Sequence, residues 1–307
     1  MSLTTTGERP ALQRVVVHAA LRSRGQLLVD GDGVLPWAVL AHGETPAAGV
    51  QRALLAVGAP PARPRGPLEV RHAVRREPGG TAADGVVVPA GGVDVHSVHV
   101  VLAAEVTDHA LRDAARPARW APVPEQLPLV ADAAVAVGAA EVARATGAAA
   151  GSPGADGLVP VVRQRLAAYA VVVSPDQRIL LTRLSERTPS PGRWTLPGGG
   201  VDHGEHPVDA AVREVHEETG MDVVVDGLLD VASEHFTGRS PRGVLEDFHA
   251  VRVLVAATAT QVREPEVLDV GGSTDLSRWV PLDEAPAVGL VGVAHRGVQF
   301  ALRRRGC

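Results

Sequence analysis

The sequence predicts an α/β (α+β) protein made of two similar sandwich domains with mixed sheets. Three observations predict it. A chain of 307 residues corresponds to about two domains of ~150 residues each. With 45% hydrophobic and 21% charged residues it has the apolar content to bury sizeable cores. Short motifs of the first half recur in the same order in the second.

The repeat is read residue by residue. His42-Gly43-Glu44-Thr45-Pro46 returns as His203-Gly204-Glu205-His206-Pro207, and each Glu is followed eight positions later by Arg52 or Arg213. Leu35-Pro36 and Leu196-Pro197 precede the two copies, and Gln26-Leu27-Leu28-Val29 parallels Arg178-Ile179-Leu180-Leu181. Asp94-Val95-His96 parallels Asp247-Phe248-His249, and Arg119-Trp120-Ala121-Pro122 parallels Arg278-Trp279-Val280-Pro281. A tandem duplication explains this order. The small, turn-rich stretch 148–157 (AAAGSPGADG) reads as the linker between domains at 1–150 and 158–307.

Each half reads as strand, strand, Gly/Pro-rich loop, helix, further strands and a closing helix. In the second half, 166–174 and 179–184 form a hairpin around Pro175-Asp176-Gln177. A helix follows from Pro207 to Thr219, with Pro in its first turn, Asp209 near its positive end and Gly220 as its stop. Val251–Ala256 is a buried strand, and 287–305 is the closing helix.

Charge and composition narrow the function. The net charge is −5, and the acidic excess lies in the second half, with 16 Arg against 21 Asp and Glu, whereas residues 1–150 hold 14 of each. A duplex nucleic acid needs a clustered basic surface and is excluded as a partner. No apolar run of ~18 residues suggests a membrane span. The one cysteine, Cys307, forms no intrachain disulfide, and no signal-peptide pattern opens the chain. The expectation is a cytoplasmic protein.

The chemistry concentrates in Arg213-Glu214-Val215-His216-Glu217-Glu218-Thr219-Gly220. At 3.6 residues per turn Glu214, Glu217 and Glu218 share one helix face, where like charges repel unless something neutralises them. Mg²⁺ does this well, because it takes a few carboxylate oxygens together with waters and substrate phosphates. Three glutamates alone are more often a solvated face. What shifts the reading is Pro197-Gly198-Gly199-Gly200 upstream, a loop that lets backbone approach a ligand and offers carbonyl oxygens. His203, His206 and His216 are interleaved with these residues and read as surface or loop-packing groups.

Gly199, five residues, Glu205, seven residues, Arg213-Glu214-Val215, one residue, Glu217-Glu218, one residue and Gly220-Met221 match the Nudix box in residues and spacing. The second half therefore resembles a Nudix hydrolase. The resemblance implies an α/β/α sandwich and Mg²⁺- or Mn²⁺-dependent cleavage of a nucleoside diphosphate linked to another moiety. It further implies Glu214, Glu217, Glu218 and the carbonyl of Gly198 as metal ligands. Glu205 and Arg213 would brace the loop against the helix, with Arg213 orienting a glutamate. The box leaves the general base open: Glu246, Asp247, Glu264 and Glu266 are candidates, with Glu246 included in the expected catalytic set.

Aligned without gaps from Pro36, the three glutamates fall on Ala53, Ala56 and Val57, and the Gly triplet falls on Trp37-Ala38-Val39. Glu44 and Arg52 persist, so the first half resembles a degenerate Nudix domain without a metal site. It would act as an internal pseudo-dimer partner, or the chain would form a homodimer. The expected partner is a nucleotide-type small molecule such as an ADP-ribose-like compound or nucleotide sugar. The alternatives are pyrophosphohydrolysis of damaged nucleoside triphosphates and a non-catalytic nucleotide sensor. Phe236 could stack on a base, although an aromatic there more often belongs to the core.

Overall fold

The computed structural model describes residues 11–60, 62–81, 87–105, 118–131, 134–135, 141, 151, 157–240 and 243–305. Most of the expected linker, 148–150 and 152–156, and Cys307 lie outside the described residues. The chain divides into two compact units, the first comprising 1–164, 235–238 and 245–249, the second 165–234, 239–244 and 250–307. The fold is mixed α/β, mostly strands with few helices.

In the first unit β1 (Ala11–Ser23) is the central strand. It runs parallel to β7 (Val93–Glu105), from Ala11 opposite Asp94 to Leu21 opposite Ala104. β7 pairs antiparallel with β4 (Arg63–Glu77). On its other side β1 pairs with β3 (Trp37–Val39) and, at its end, with β2 (Gln26–Val29), which pairs with β8 (Arg119–Pro122). β5 (Gly80–Thr81) and β6 (Val87–Val88) form a separate small ribbon. β1 and β7 are buried almost continuously, as Val-rich parallel strands covered on both faces should be. Helix α1 (Pro46–Ala56) begins at Thr45, whose hydroxyl accepts the Ala48 amide.

The second unit contains two sheets. One has the order β12 (Gly198–Gly200), β9 (Val161–Val172), β14 (Leu245–Ala259), β13 (Val223–Arg239); the other has β11 (Trp194–Thr195), β10 (Arg178–Leu184), β15 (Thr274–Pro281). The ends of β9, β13 and β14 group with the first unit. Helix α2 (Pro207–Thr219) packs on β12 and β15. Helix α3 (Gly292–Arg305) contributes Val293, Ala294, Val298 and Ala301 to a core with Ile179, Leu181, Trp194, Leu196, Leu254 and Val280. Gly297 belongs to the packed face: a Cβ there would lie 2.6 Å from Leu196 Cδ1.

Two expectations need adjusting. The turn at 174–177 forms, with the Ser174 amide bonded to the Arg178 carbonyl at 2.8 Å and Gln177 at φ 61°. The flanking strands are not a hairpin, because β9 and β10 meet only at the Val173–Ile179 bridge and then enter different sheets. The closing helix starts at Gly292 instead of residue 287, after a 3₁₀ turn (Ala285–Ala287) and Gly289 at φ 78°. Among the described residues no helix is long and apolar enough to cross a membrane.

Candidate active site

Helix α2 is fixed at both ends. The His206 ring caps its start by accepting the Val208 amide at 3.1 Å, and Asp209 stands in the first turn. Gly220 closes it in the left-handed region (φ 66°), its amide bonded to the His216 carbonyl. The helix thereby presents Arg213, Glu214, Glu217 and Glu218 at defined positions.

The glycine strand beside it is positioned by ladder alternation. Pro197 accepts the Ala170 amide and Val201 donates to Leu166, so Gly198 and Gly200 turn their peptide groups away from β9. The freed groups meet α2: the Gly198 amide donates to Glu218 Oε2 at 3.0 Å, and the Gly200 carbonyl accepts from Arg213 at 3.0 Å. Glycine is required here. Gly198 has φ 151°, and a Cβ on it would strike the Ala168 carbonyl and Tyr169, while one on Gly199 would collide with the Glu214 carboxylate.

Glu205 and Arg213 are joined by hydrogen bonds. The Arg213 guanidinium donates twice to Glu205, at 2.8 and 2.9 Å, and Glu205 Oε2 also accepts the Asp202 amide at 2.9 Å. The other arm of Arg213 reaches Glu214 Oε1 at 3.0 Å and Glu217 Oε2 at 3.1 Å, so one cation holds three carboxylates. These hydrogen bonds raise the Arg213 pKa further.

Glu218 is the buried member of the cluster, 4% exposed. Its Oε1 accepts from Thr274 at 2.6 Å and more weakly from Ser273 at 3.4 Å. Burial pushes its carboxyl up to about 7, against the pull of those donors and the Gly198 amide. Burial also raises Glu214, opposed by Arg213. Glu217 is the most open of the three, its side chain 43% exposed. Three carboxylates graded from buried to open offer oxygen donors of the kind a hard divalent cation takes, with Arg213 hydrogen-bonded to two of them in this structure. A buried carboxyl whose charge is disfavoured gains most when such a cation neutralises it.

The remaining sequence candidates take other partners. In the first unit Glu246 lies 3.7 Å from Arg163. The Asp247 Oδ1 accepts from His42 Nε2 at 3.1 Å and His235 Nε2 at 2.5 Å. Burial opposes the Asp247 charge, but the two imidazoles outweigh it and hold its pKa below the ordinary range. Sequence spacing does not single out His42 and His235, which stand 193 positions apart and belong to no metal-spacing motif. Phe236 is 47% exposed and tilts against Phe248. In the second unit Glu264 and Glu266 are exposed, and the Glu266 amide bonds to the Thr219 carbonyl at the end of α2.

Residues 163–298 match the family model described as NUDIX domain. An RNA pyrophosphohydrolase of Agrobacterium fabrum is 52% identical over 50 residues, 16% of this chain and 28% of that protein. An RNA pyrophosphohydrolase of Bartonella quintana is 66% identical over 108 residues, 31% of this chain and 61% of that protein. The chain thus spans less than two thirds of the length of these relatives. Among solved structures, a MutT NUDIX hydrolase from Burkholderia pseudomallei is 28% identical, covering 45% of this chain and 97% of its own, with a TM-score of 0.35.

Proposed function

With residues 163–298 belonging to the Nudix family, we propose that this chain hydrolyses the pyrophosphate of a nucleoside diphosphate linked to another moiety, an ADP-ribose-like compound or nucleotide sugar. The observation that carries the reading is the graded cluster of Glu214, Glu217 and Glu218 facing the Gly198 peptide, with Arg213 locking it to Glu205. These three carboxylates and the Gly198 carbonyl would hold Mg²⁺ or Mn²⁺. When bound, the metal neutralises pyrophosphate charge and lowers the pKa of the attacking water.

The protein's own residues then have separable tasks. Arg213 keeps Glu214 and Glu217 from splaying apart and ties α2 to the glycine strand. Thr274 and the Gly198 amide aim the Glu218 carboxylate. For the base that takes the proton from water, Glu264 and Glu266 are the candidates in the same unit as the cluster, whereas Glu246 and Asp247 belong to the first unit and Asp247 is already committed to two imidazoles. The first half we read as a Nudix-type copy that keeps the brace without the metal ligands.

A second reading is favoured by the relatives being RNA pyrophosphohydrolases: release of pyrophosphate from a triphosphorylated nucleotide or RNA 5′ end. Product analysis over a panel of nucleoside diphosphate derivatives, nucleoside triphosphates and 5′-triphosphorylated RNA, with Mg²⁺, separates the readings. Nucleoside monophosphate plus a phosphorylated moiety supports the first, and pyrophosphate supports the second. A chain that binds these compounds and cleaves none would be a sensor.

A further inference from the structure

Outside the glutamate cluster, the described residues hold one group of histidine and acidic side chains whose donor atoms converge as metal ligands do: His42, His235 and Asp247. The loop after β3 supplies His42, β13 supplies His235 and β14 supplies Asp247, and all three segments belong to the first unit. The two Nε2 atoms lie 3.1 and 2.5 Å from the same Oδ1, and the three donor atoms are all within 4.8 Å of one another.

We propose that these three residues form a zinc site that ties the loop after β3 to the ends of β13 and β14. Zn²⁺ takes imidazole nitrogen at about 2.0–2.1 Å and carboxylate oxygen at about 2.0–2.2 Å, which puts tetrahedral ligands roughly 3.4 Å apart. Both nitrogen–oxygen separations are shorter than that value and all three donors lie within 4.8 Å of one another, so side-chain rotations that move the donors slightly apart admit the ion. Two imidazoles and one carboxylate select a borderline ion such as zinc, whereas Mg²⁺ prefers oxygen alone.

The surroundings suit the role. The His42 and Asp247 side chains are 16% and 19% exposed and therefore held, while His235, at 42%, leaves an entry route. The loop passes the His235 ring at Gly43, in the left-handed region (φ 76°), where a Cβ would stand 3.0 Å from Nδ1. His249 packs edge-on against His42 with ring centres 5.5 Å apart, and its own Nδ1 lies 3.3 Å from Gln164 Oε1, which fixes the His42 ring plane. Three protein ligands leave the fourth position to water.

The test uses the full chain, stripped with a chelator and titrated with Zn²⁺ against a chromophoric competitor, with Co²⁺ as a visible-absorption probe. It is run in a Glu217→Gln/Glu218→Gln background to disable the other cluster. One equivalent of zinc should bind, and Co²⁺ should give a tetrahedral d–d spectrum. Adding His42→Gln and His235→Gln should weaken zinc binding by at least about 100-fold. His235→Gln alone, at the most exposed ring, gives the same readout if the combined variant does not fold. Zinc affinity unchanged by the histidine variants would overturn the proposal. So would the absence of zinc uptake by the glutamine background, which would leave Asp247 as a hydrogen-bonded bridge between two imidazoles.

Discussion

Two segments of this chain, 36–57 and 197–218, share one scaffold and differ in what hangs on it. In the second, Glu205 accepts the Asp202 amide and Arg213, and Arg213 also reaches the Gly200 carbonyl. In the first, Glu44 accepts the Ala41 amide at 2.9 Å and Arg52 at 3.0 and 2.6 Å, and Arg52 also reaches the Val39 carbonyl at 2.6 Å. Every partner is displaced by the same 161 positions. The sheets repeat as well: β3 pairs with β1 as β12 pairs with β9, with His18 opposite Trp37 where Tyr169 faces Gly198. The first brace forms although Ala53, Ala56 and Val57 stand at the positions offset by 161 from the glutamates, so its bonds need no neighbouring carboxylate cluster. Trp37, at the Gly198 position, packs with Val16, Val130 and Val135, so bulk occupies the place where the second segment leaves its backbone open.

The largest expected effect separates the segments by chemistry. Glu218→Gln removes the buried charge and keeps the shape, so turnover on the best substrate should fall by about 10³-fold or more while the melting temperature in chelator stays at or above that of the parent. A variant within threefold of parental turnover would dissolve the distinction between the two helices.

The next effect is a pair of opposite pH dependences. Glu218 has a folded-state pKa of about 7, above the ordinary 4.5. Its contribution to stability is therefore fully present below about pH 4.5 and is lost as pH rises through about 7, a loss of about 3 kcal/mol in metal-free protein. In the first unit His18, buried and 3.0 Å from His99, is lowered to about 3 by burial first and then by the charges of His99 and Arg71. Its contribution is present above about pH 6.5 and is lost as pH falls, by about 2 kcal/mol at pH 5. Denaturant melts of the metal-free chain from pH 5 to 8, compared with Glu218→Gln, should show the rising-pH loss only in the parent. Added Mg²⁺ should restore it. Hydrogen-exchange protection at β1 and β7, after division by the intrinsic amide rate at each pH, should fall toward pH 5, and protection independent of pH there would contradict the neutral, buried His18.

Smaller still is the brace itself. Arg52→Ala should destabilise the first unit by about 1 kcal/mol, since Arg52 is half exposed and its ion pair is partly screened. Turnover should stay within threefold. Arg213→Ala should cost a similar amount of stability and lower turnover as well, because Glu214 and Glu217 lose their common tether. Equal kinetic effects at the two arginines would mean that the first brace also serves the reaction.

Local signals made the second segment readable. The helix from Pro207 to Thr219 is marked by Pro at its start and Gly at its end, whereas the glycine run reads only as a close approach of backbone to a ligand, and the structure packs Gly198 against β9 and Gly199 against the Glu214 carboxylate. The His206 cap was not legible, since histidine seldom plays that part and its ring competes with ligand readings. Nor was the parting of β9 and β10: a tight turn looks the same whether its strands pair or enter separate sheets, and the choice is made by distant partners. The histidine–aspartate cluster escaped for the same reason, because its members come from three segments that only folding brings together.

The last prediction is for an effect of zero. If the repeat is aligned correctly, the first half offers Mg²⁺ no carboxylates at the helix positions equivalent to 214, 217 and 218, where Ala53, Ala56 and Val57 stand. Glu44, the acid of this motif that matches Glu205, is occupied by Arg52 and the Ala41 amide: burial opposes its charge, but these donors outweigh it and hold its pKa below the ordinary range. The full chain carrying Glu214→Gln, Glu217→Gln and Glu218→Gln should then show no Mg²⁺-dependent shift in melting temperature at millimolar metal, whereas the parent rises with log[Mg²⁺] as ligand linkage requires. The His42, His235 and Asp247 group does not interfere, because its nitrogen donors suit Mg²⁺ poorly. A remaining Mg²⁺ shift in the triple variant would place a second oxygen site in the chain, and the first segment could no longer be read as the scaffold without the chemistry.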